Sequence, residues 1–210
     1  GILSIEANQR LYMDEVRNEM SEDKLNNMFQ KVFSTDRVFI HSHFGTNDID
    51  DIFSKLRYLI VGCDCRWVVI DHLHMLVSSM TEGDERRAID NIMTRIRSIV
   101  EETGAGIILV SHLRKIQGDR GHENGVSVSL SHLRGSNSIA QLSDTVIALE
   151  RNQQAEDDLE SRTTKLRVLK CRYTGDVGMA TALTYDKETG RLSEINNDEL
   201  FNFNEEDIPF

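Results

Sequence analysis

Short, nearly continuous β-branched runs punctuate this sequence, and they limit its fold more than any other feature. Ile2-Leu3-Ser4-Ile5, Trp67-Val68-Val69-Ile70 and residues 106–110 and 145–149 do not alternate apolar with polar side chains. That is the pattern of strands covered on both faces. Val38-Phe39-Ile40 is a shorter fifth run. Between the runs the period changes. Residues 48–61 carry apolar side chains at 49, 52, 53, 56, 59 and 60. Residues 84–100 repeat the spacing with Ile89, Ile92, Met93, Ile96 and Ile99, and Thr103-Gly104 supplies a helix stop. Strand and helix alternating over such lengths predict an α/β chain with a mostly parallel, doubly wound sheet. Beyond Thr164 the runs 165–173, 179–185 and 191–193 are joined by glycine-containing turns. They predict an antiparallel extension of that sheet.

Charge sets the next limits. Lys and Arg number 24 against 35 Asp and Glu, a net charge of −11, so any contact with a polyanion must come from local patches. No apolar run reaches the length of a membrane span, and the first residues lack a basic-then-apolar leader. Three cysteines, Cys63, Cys65 and Cys171, leave at least one unpaired, which fits a reducing, cytoplasmic setting. Residues 196–210 hold five acids and no base. The expected organisation is therefore a folded body, 1–195, followed by an acidic disordered tail, 196–210.

Three of the apolar runs end on residues capable of chemistry: Glu6, Asp71 and Ser111-His112. Ligands of open parallel sheets bind beyond the carboxyl ends of the strands, so two carboxylates and an imidazole are expected along one rim. An apolar strand ending in Asp is also the Walker B pattern, in which the acid holds a nucleotide's Mg²⁺. Cys63-x-Cys65 and His72-x-His74 together offer four soft donors. A strand between the pairs would carry them to opposite ends, which disfavours a zinc site. His41 and His43 are read as surface or edge residues, and Trp67 as a core residue.

Several stretches together resemble the ATPase core of hexameric replicative DNA helicases, the RecA-fold group that contains DnaB. They resemble most closely the helicase domain of T-odd phage primase-helicases. The stretches are Val68-Val69-Ile70-Asp71-His72, Ser111-His112-Leu113, Leu133-Arg134-Gly135-Ser136 and Gln141-Leu142-Ser143-Asp144. Leu149-Glu150-Arg151-Asn152-Gln153-Gln154, Lys170-Cys171-Arg172-Tyr173-Thr174-Gly175-Asp176 and Tyr185-Asp186-Lys187-Glu188-Thr189-Gly190 complete the set. The resemblance implies a RecA-like fold, ATP (or dTTP) and Mg²⁺ as cofactors, a homo-hexameric ring and 5′→3′ movement on single-stranded DNA.

It also implies roles. Glu6 would deprotonate the attacking water, and Asp71 would hold Mg²⁺. His112 and Gln141 would sense the γ-phosphate. Arg172 would be an arginine finger reaching the neighbouring subunit, with Lys170 near the same phosphates, and Arg151 and Tyr185 would sandwich the base. Residues 114–129, with Arg114, Lys115 and Arg120 among three glycines, match the loop that holds DNA in the ring's channel. Residues 78–87 occupy the place of a second channel loop, but their acids offset their arginines. Glu205-Glu206-Asp207-Ile208-Pro209-Phe210 resembles the terminal peptide of single-stranded DNA-binding proteins, so Phe210 is expected to dock on a DNA polymerase or another replisome protein.

One part of the pattern is missing. No G-x-x-x-x-G-K-[ST] phosphate loop occurs in the sequence. The sheet is accordingly expected to lack its P-loop strand, and the chain alone to hydrolyse almost no ATP. A P-loop-bearing segment would come from upstream or from a separate polypeptide. The alternative is a catalytically inactive RecA-fold module that recruits replication partners through its tail.

Overall fold

The computed structural model describes residues 2–41, 48–78, 82–116 and 121–195. The chain divides into two units. A parallel unit comprises Phe39–Ile116 and Ser129–Val146. An antiparallel unit comprises the chain up to Val38, Gln117–Val128 and everything from Ile147 onward.

The parallel unit is built as its periodicity dictates. Helix α4 (Ile49–Arg57) starts at Asp48, whose carboxylate accepts the Asp50 N–H at 2.9 Å, and it continues through a wider turn to Gly62. Strand β1 (Trp67–Ile70) lies parallel to β2 (Gly106–Leu109), and α5 (Glu82–Thr103) is the crossover between them. Gly104 ends α5 in the left-handed region, with φ of +69° and its N–H on the Val100 carbonyl. Ile89, Ile92, Met93, Ile96 and Ile99 of α5 are buried with Phe53, Leu56, Ile60, Leu73 and Leu76. Val68, Ile70, Ile107 and Leu109 pack against that core. A short helix, α6 (Ser138–Leu142), also lies on α5 and buries Ile139.

Covering of the strands on both faces is not what the structure shows. Val69 and Ile108 sit opposite each other in the register and are 64% and 51% exposed. Trp67, read above as core, is 72% exposed. Its ring lies over Gly106, where an added Cβ would come within 2.4 Å of it. The indole is thus spent on shielding a side-chain-free strand position.

The antiparallel unit contains α1 (Ile2–Ala7), α2 (Asp14–Asn18), α3 (Glu22–Phe33) and α7 (Asp158–Arg162). Its four-stranded sheet has the order β3 (Thr145–Glu150), β4 (Thr163–Cys171), β5 (Gly178–Tyr185), β6 (Leu192–Glu194), and β3 runs into it from the parallel unit. The β4–β5 and β5–β6 pairs are antiparallel, as the turns predicted.

Two expected strands are absent. Residues 2–5 form helix α1, because Asn8 terminates it in a left-handed conformation (φ +54°). The Gln9 N–H reaches the Ser4 carbonyl at 3.1 Å, and the Asn8 N–H reaches that of Ile5 at 3.3 Å. This paired closure is a helix-ending motif. A four-residue apolar run does not by itself distinguish helix from strand, and here the local stop signal decides. Val38, Phe39 and Ile40 are exposed and belong to none of the strands among the described residues.

Candidate functional site

The ends of β1 and β2 bring the chemistry of the parallel unit together. Beyond both strands the ladder continues: Val110 N–H donates to the Ile70 carbonyl and Leu73 N–H to that of Val110, both at 2.9 Å. Asp71-His72 and Ser111-His112 are therefore delivered side by side. The His72 and His112 rings are 4.0 Å apart between centroids. The Asp71 carboxylate is 73% exposed, 3.9 Å from Nδ1 of His72. His112, Arg114 and Lys115 are exposed as well.

His74 lies beneath this rim and is buried. Its Nε2 stands 3.1 Å from the Arg134 carbonyl, which can only accept, so Nε2 carries the proton. That leaves Nδ1 to accept the His112 N–H at 3.5 Å. The ring is parallel to that of His112 at 5.3 Å. Burial, ahead of the nearby positive charges, pushes the His74 pKa below the ordinary imidazole value. The ring is thus neutral while it bridges two backbone segments.

The stretch 133–136 is held from several sides. Arg134 N–H donates to the His112 carbonyl at 3.0 Å, Leu113 bridges Leu133, and the Arg134 guanidinium stands 3.4 Å from Glu85. Gly135 adopts a φ of +101°, with Ile89 so close that a Cβ would come within 2.5 Å of it. Ser136 hydrogen-bonds Asp90 on α5, and that contact, helped by Ser138, holds the Asp90 carboxyl below its usual range. Gln141 is exposed on α6, and Arg97 grips Asp144 just beyond it at 2.8 and 2.9 Å.

The remaining candidates fall in the antiparallel unit. Glu6, expected at the end of a strand, is on helix α1 and pairs with Lys31 of α3. Lys170 is half-buried on β4, and Arg172 is exposed in the turn immediately after it. Arg151 follows β3 and donates through Nε to the Ser161 carbonyl at 2.6 Å. The Tyr185 hydroxyl is 3.0 Å from that of Tyr12, a contact that raises the Tyr185 pKa. Arg120, His43 and Phe210 lie outside the described residues, as does the tail 196–210. The structure describes the second channel-loop candidate from Glu82 onward as the start of α5.

The segments carrying Asp71 and His112 are thus adjacent, with His72 between the two side chains and His74 nearby, histidines that the sequence reading weighed only as metal ligands. The clue was present: two histidines at alternate positions just past an apolar strand. A solvent-facing carboxylate at this position suits Mg²⁺, which takes one or two carboxylates and keeps its waters.

A parallel strand pair joined by a crossover helix, with an acid and imidazoles gathered past its carboxyl ends, puts polar side chains where open parallel sheets bind ligands. The model of the DnaB-like helicase C-terminal domain matches residues 3–194, and this chain belongs to that family. It is 38% identical over 180 residues to a DNA helicase/primase of Enterobacteria phage T3, an alignment covering 85% of this chain and 31% of that protein. The chain therefore spans about a third of that relative's length. A KaiC-like protein of the archaeon Pyrococcus horikoshii shares the fold, with a TM-score of 0.53 and 14% identity over 84% of this chain and 71% of its own. Among the described residues, no helix is long and apolar enough to cross a membrane.

Proposed function

We propose that this chain is the C-terminal part of a replicative, ring-shaped DNA helicase of cytoplasmic location, which couples hydrolysis of ATP or dTTP to 5′→3′ movement on single-stranded DNA. The observation that carries this reading is the delivery of Asp71-His72 alongside Ser111-His112 past the ends of β1 and β2, the His72 and His112 rings 4.0 Å apart, with Arg114 and Lys115 two and three residues beyond His112. A group that meets the terminal phosphate is thereby tied to the first cations of a DNA loop.

In this reading Asp71 holds Mg²⁺ through its exposed carboxylate, and the metal neutralises charge on the phosphates. His112 contacts the γ-phosphate, and its backbone passes the loss of that contact to residues 114–129. Gln141 supports the same sensing. Arg172, exposed at the end of β4, inserts into the site of the next protomer of a hexamer, with Lys170 behind it. A guanidinium given in trans stabilises the spreading transition-state charge. Arg151 and Tyr185 flank the base, and Glu6 activates the water. Arg114, Lys115 and Arg120 hold the DNA backbone, and Phe210 docks the acidic tail on a polymerase or another replisome protein.

The phosphate cradle comes from a P-loop-bearing segment, upstream or on a separate polypeptide. The exposed apolar face of β1 and β2 gives such a segment a surface to pack on. The test is ATP turnover by the chain with and without that segment, in the presence of single-stranded DNA. DNA-stimulated turnover only in the mixture supports the helicase reading. A soluble, associated but inert mixture leaves the inactive recruiting module instead.

A further inference from the structure

Among the described residues of the antiparallel unit, Glu150 is a buried carboxylate for which the helicase reading has no use. Its side chain is 3% exposed. Three hydrogen-bond contacts from two donors hold it. Arg167 on β4 gives Nε–H to both carboxylate oxygens, at 3.0 and 3.1 Å, and Val128 gives its backbone N–H to Oε1 at 2.7 Å. Val128 belongs to the returning arm of the loop 114–129. That arm is fastened to the chain after β3 at two more points: Gln153 N–H donates to the Glu123 carbonyl at 2.9 Å, and Asn124 bridges Asn152. Asn152 is itself held by Glu160 at 2.9 Å.

Arg167 occupies a special position on its strand. The β4–β5 register slips between Leu166 and Arg167, so Leu166 opposes Thr181 while Arg167 opposes Met179. Such a bulge re-aims one side chain out of the regular alternation. Three and five residues further along stand Lys170 and Arg172.

We propose that Glu150 is a positioning residue, a buried strut that fixes the returning arm of the DNA loop to the strand presenting Lys170 and Arg172. The ligand that moves the loop is a polynucleotide phosphate backbone, and the strut carries that movement to the two cations. This rests on the DNA reading of residues 114–129. Removing one charge of a buried pair leaves the other uncompensated, whereas replacing both by apolar side chains keeps packing without the bond. The two kinds of variant therefore separate a strut from a mere stabiliser.

The experiment is an NMR titration of the ¹⁵N-labelled chain with oligo(dT) of about 12 nucleotides. In the wild type, resonances of 121–128 and of 165–172 shift with one midpoint, and Val128 N–H and Arg167 Nε–H move together. In Glu150→Gln, and in the Glu150→Met/Arg167→Met pair, the 121–128 shifts persist while those of 165–172 shrink at least about fivefold. Different midpoints for the two regions in the wild type overturn the strut, as do undiminished 165–172 shifts in the double variant. If oligo(dT) moves neither region of the wild type, the DNA reading of the loop fails and the strut with it.

Discussion

In the parallel unit, Asp71 and His112 owe their closeness to a backbone ladder running past the ends of β1 and β2. In the antiparallel unit, Lys170 lies on, and Arg172 directly after, a strand with a buried ion pair and a bulge. The first arrangement is rigid because main-chain bonds fix it, with the neutral His74 bracing it from beneath. The second depends on one carboxylate, Glu150, so a single substitution reaches a whole strand. In the proposed function, the groups that hold a metal and phosphates sit on the first kind of support, and the cation that reaches another protomer depends on the second.

The sharpest way to break this comparison is at the rim. Asp71→Asn keeps the shape and removes the charge proposed to hold Mg²⁺. It should lower turnover of the P-loop-supplied protein by about 10³-fold, read by phosphate release, with the unfolding midpoint unchanged. Equal loss of folding would mean that the carboxylate is structural.

Glu150→Ala attacks the other support. It leaves the Arg167 guanidinium buried without its partner and should cost about 3–5 kcal/mol in urea unfolding, while the Glu150→Met/Arg167→Met pair should cost less, about 1–3 kcal/mol for the Val128 N–H left without its acceptor. A loss under ~1 kcal/mol for the single change would show that Arg167 finds solvent instead.

Gly135→Ala probes the turn above His74. A side chain at φ +101° is strained, and its Cβ meets Ile89 at 2.5 Å. A loss of about 1–3 kcal/mol is expected, with the His112 ring resonances displaced. Unmoved His112 resonances would detach the turn from the rim.

The smallest effect is one of pH. His74 has its folded-state pKa pushed down by burial, so the unfolded chain takes up the proton first. The stability that His74 contributes is complete above about pH 6.5 and is lost as pH falls below it, by ~1.4 kcal/mol for each unit of depression. Thermal unfolding of wild type against His74→Gln between pH 8 and 5 should show a steeper acid-side decline in the wild type. Parallel curves would mean that His74 titrates as an ordinary surface imidazole.

Much of the parallel unit was legible because its signals are local. The 3.6-residue spacing of Ile89, Ile92, Met93, Ile96 and Ile99 predicts α5, and the stop at Gly104 fixes its end. Asp71 and His112 were legible for a related reason: strand ends in a parallel sheet are where ligands bind. The run at residues 2–5 misled because its decisive signal, the left-handed Asn8, follows the run and lies outside it. Trp67 misled because size suggests burial, whereas its ring instead covers Gly106. Glu150 could not be read at all. A carboxylate after an apolar strand looks like a surface residue until Arg167, seventeen positions away, is brought against it by the β3–β4 neighbourhood and the slipped register.

The central claim is that His112 faces the nucleotide and passes its state to the loop that follows it. The direct measurement is DNA stimulation of ATP turnover in the P-loop-supplied protein, comparing wild type with His112→Asn. The account predicts that the variant binds nucleotide and oligo(dT) with unchanged affinity yet gains no turnover from DNA. A variant that DNA stimulates as fully as the wild type would contradict it.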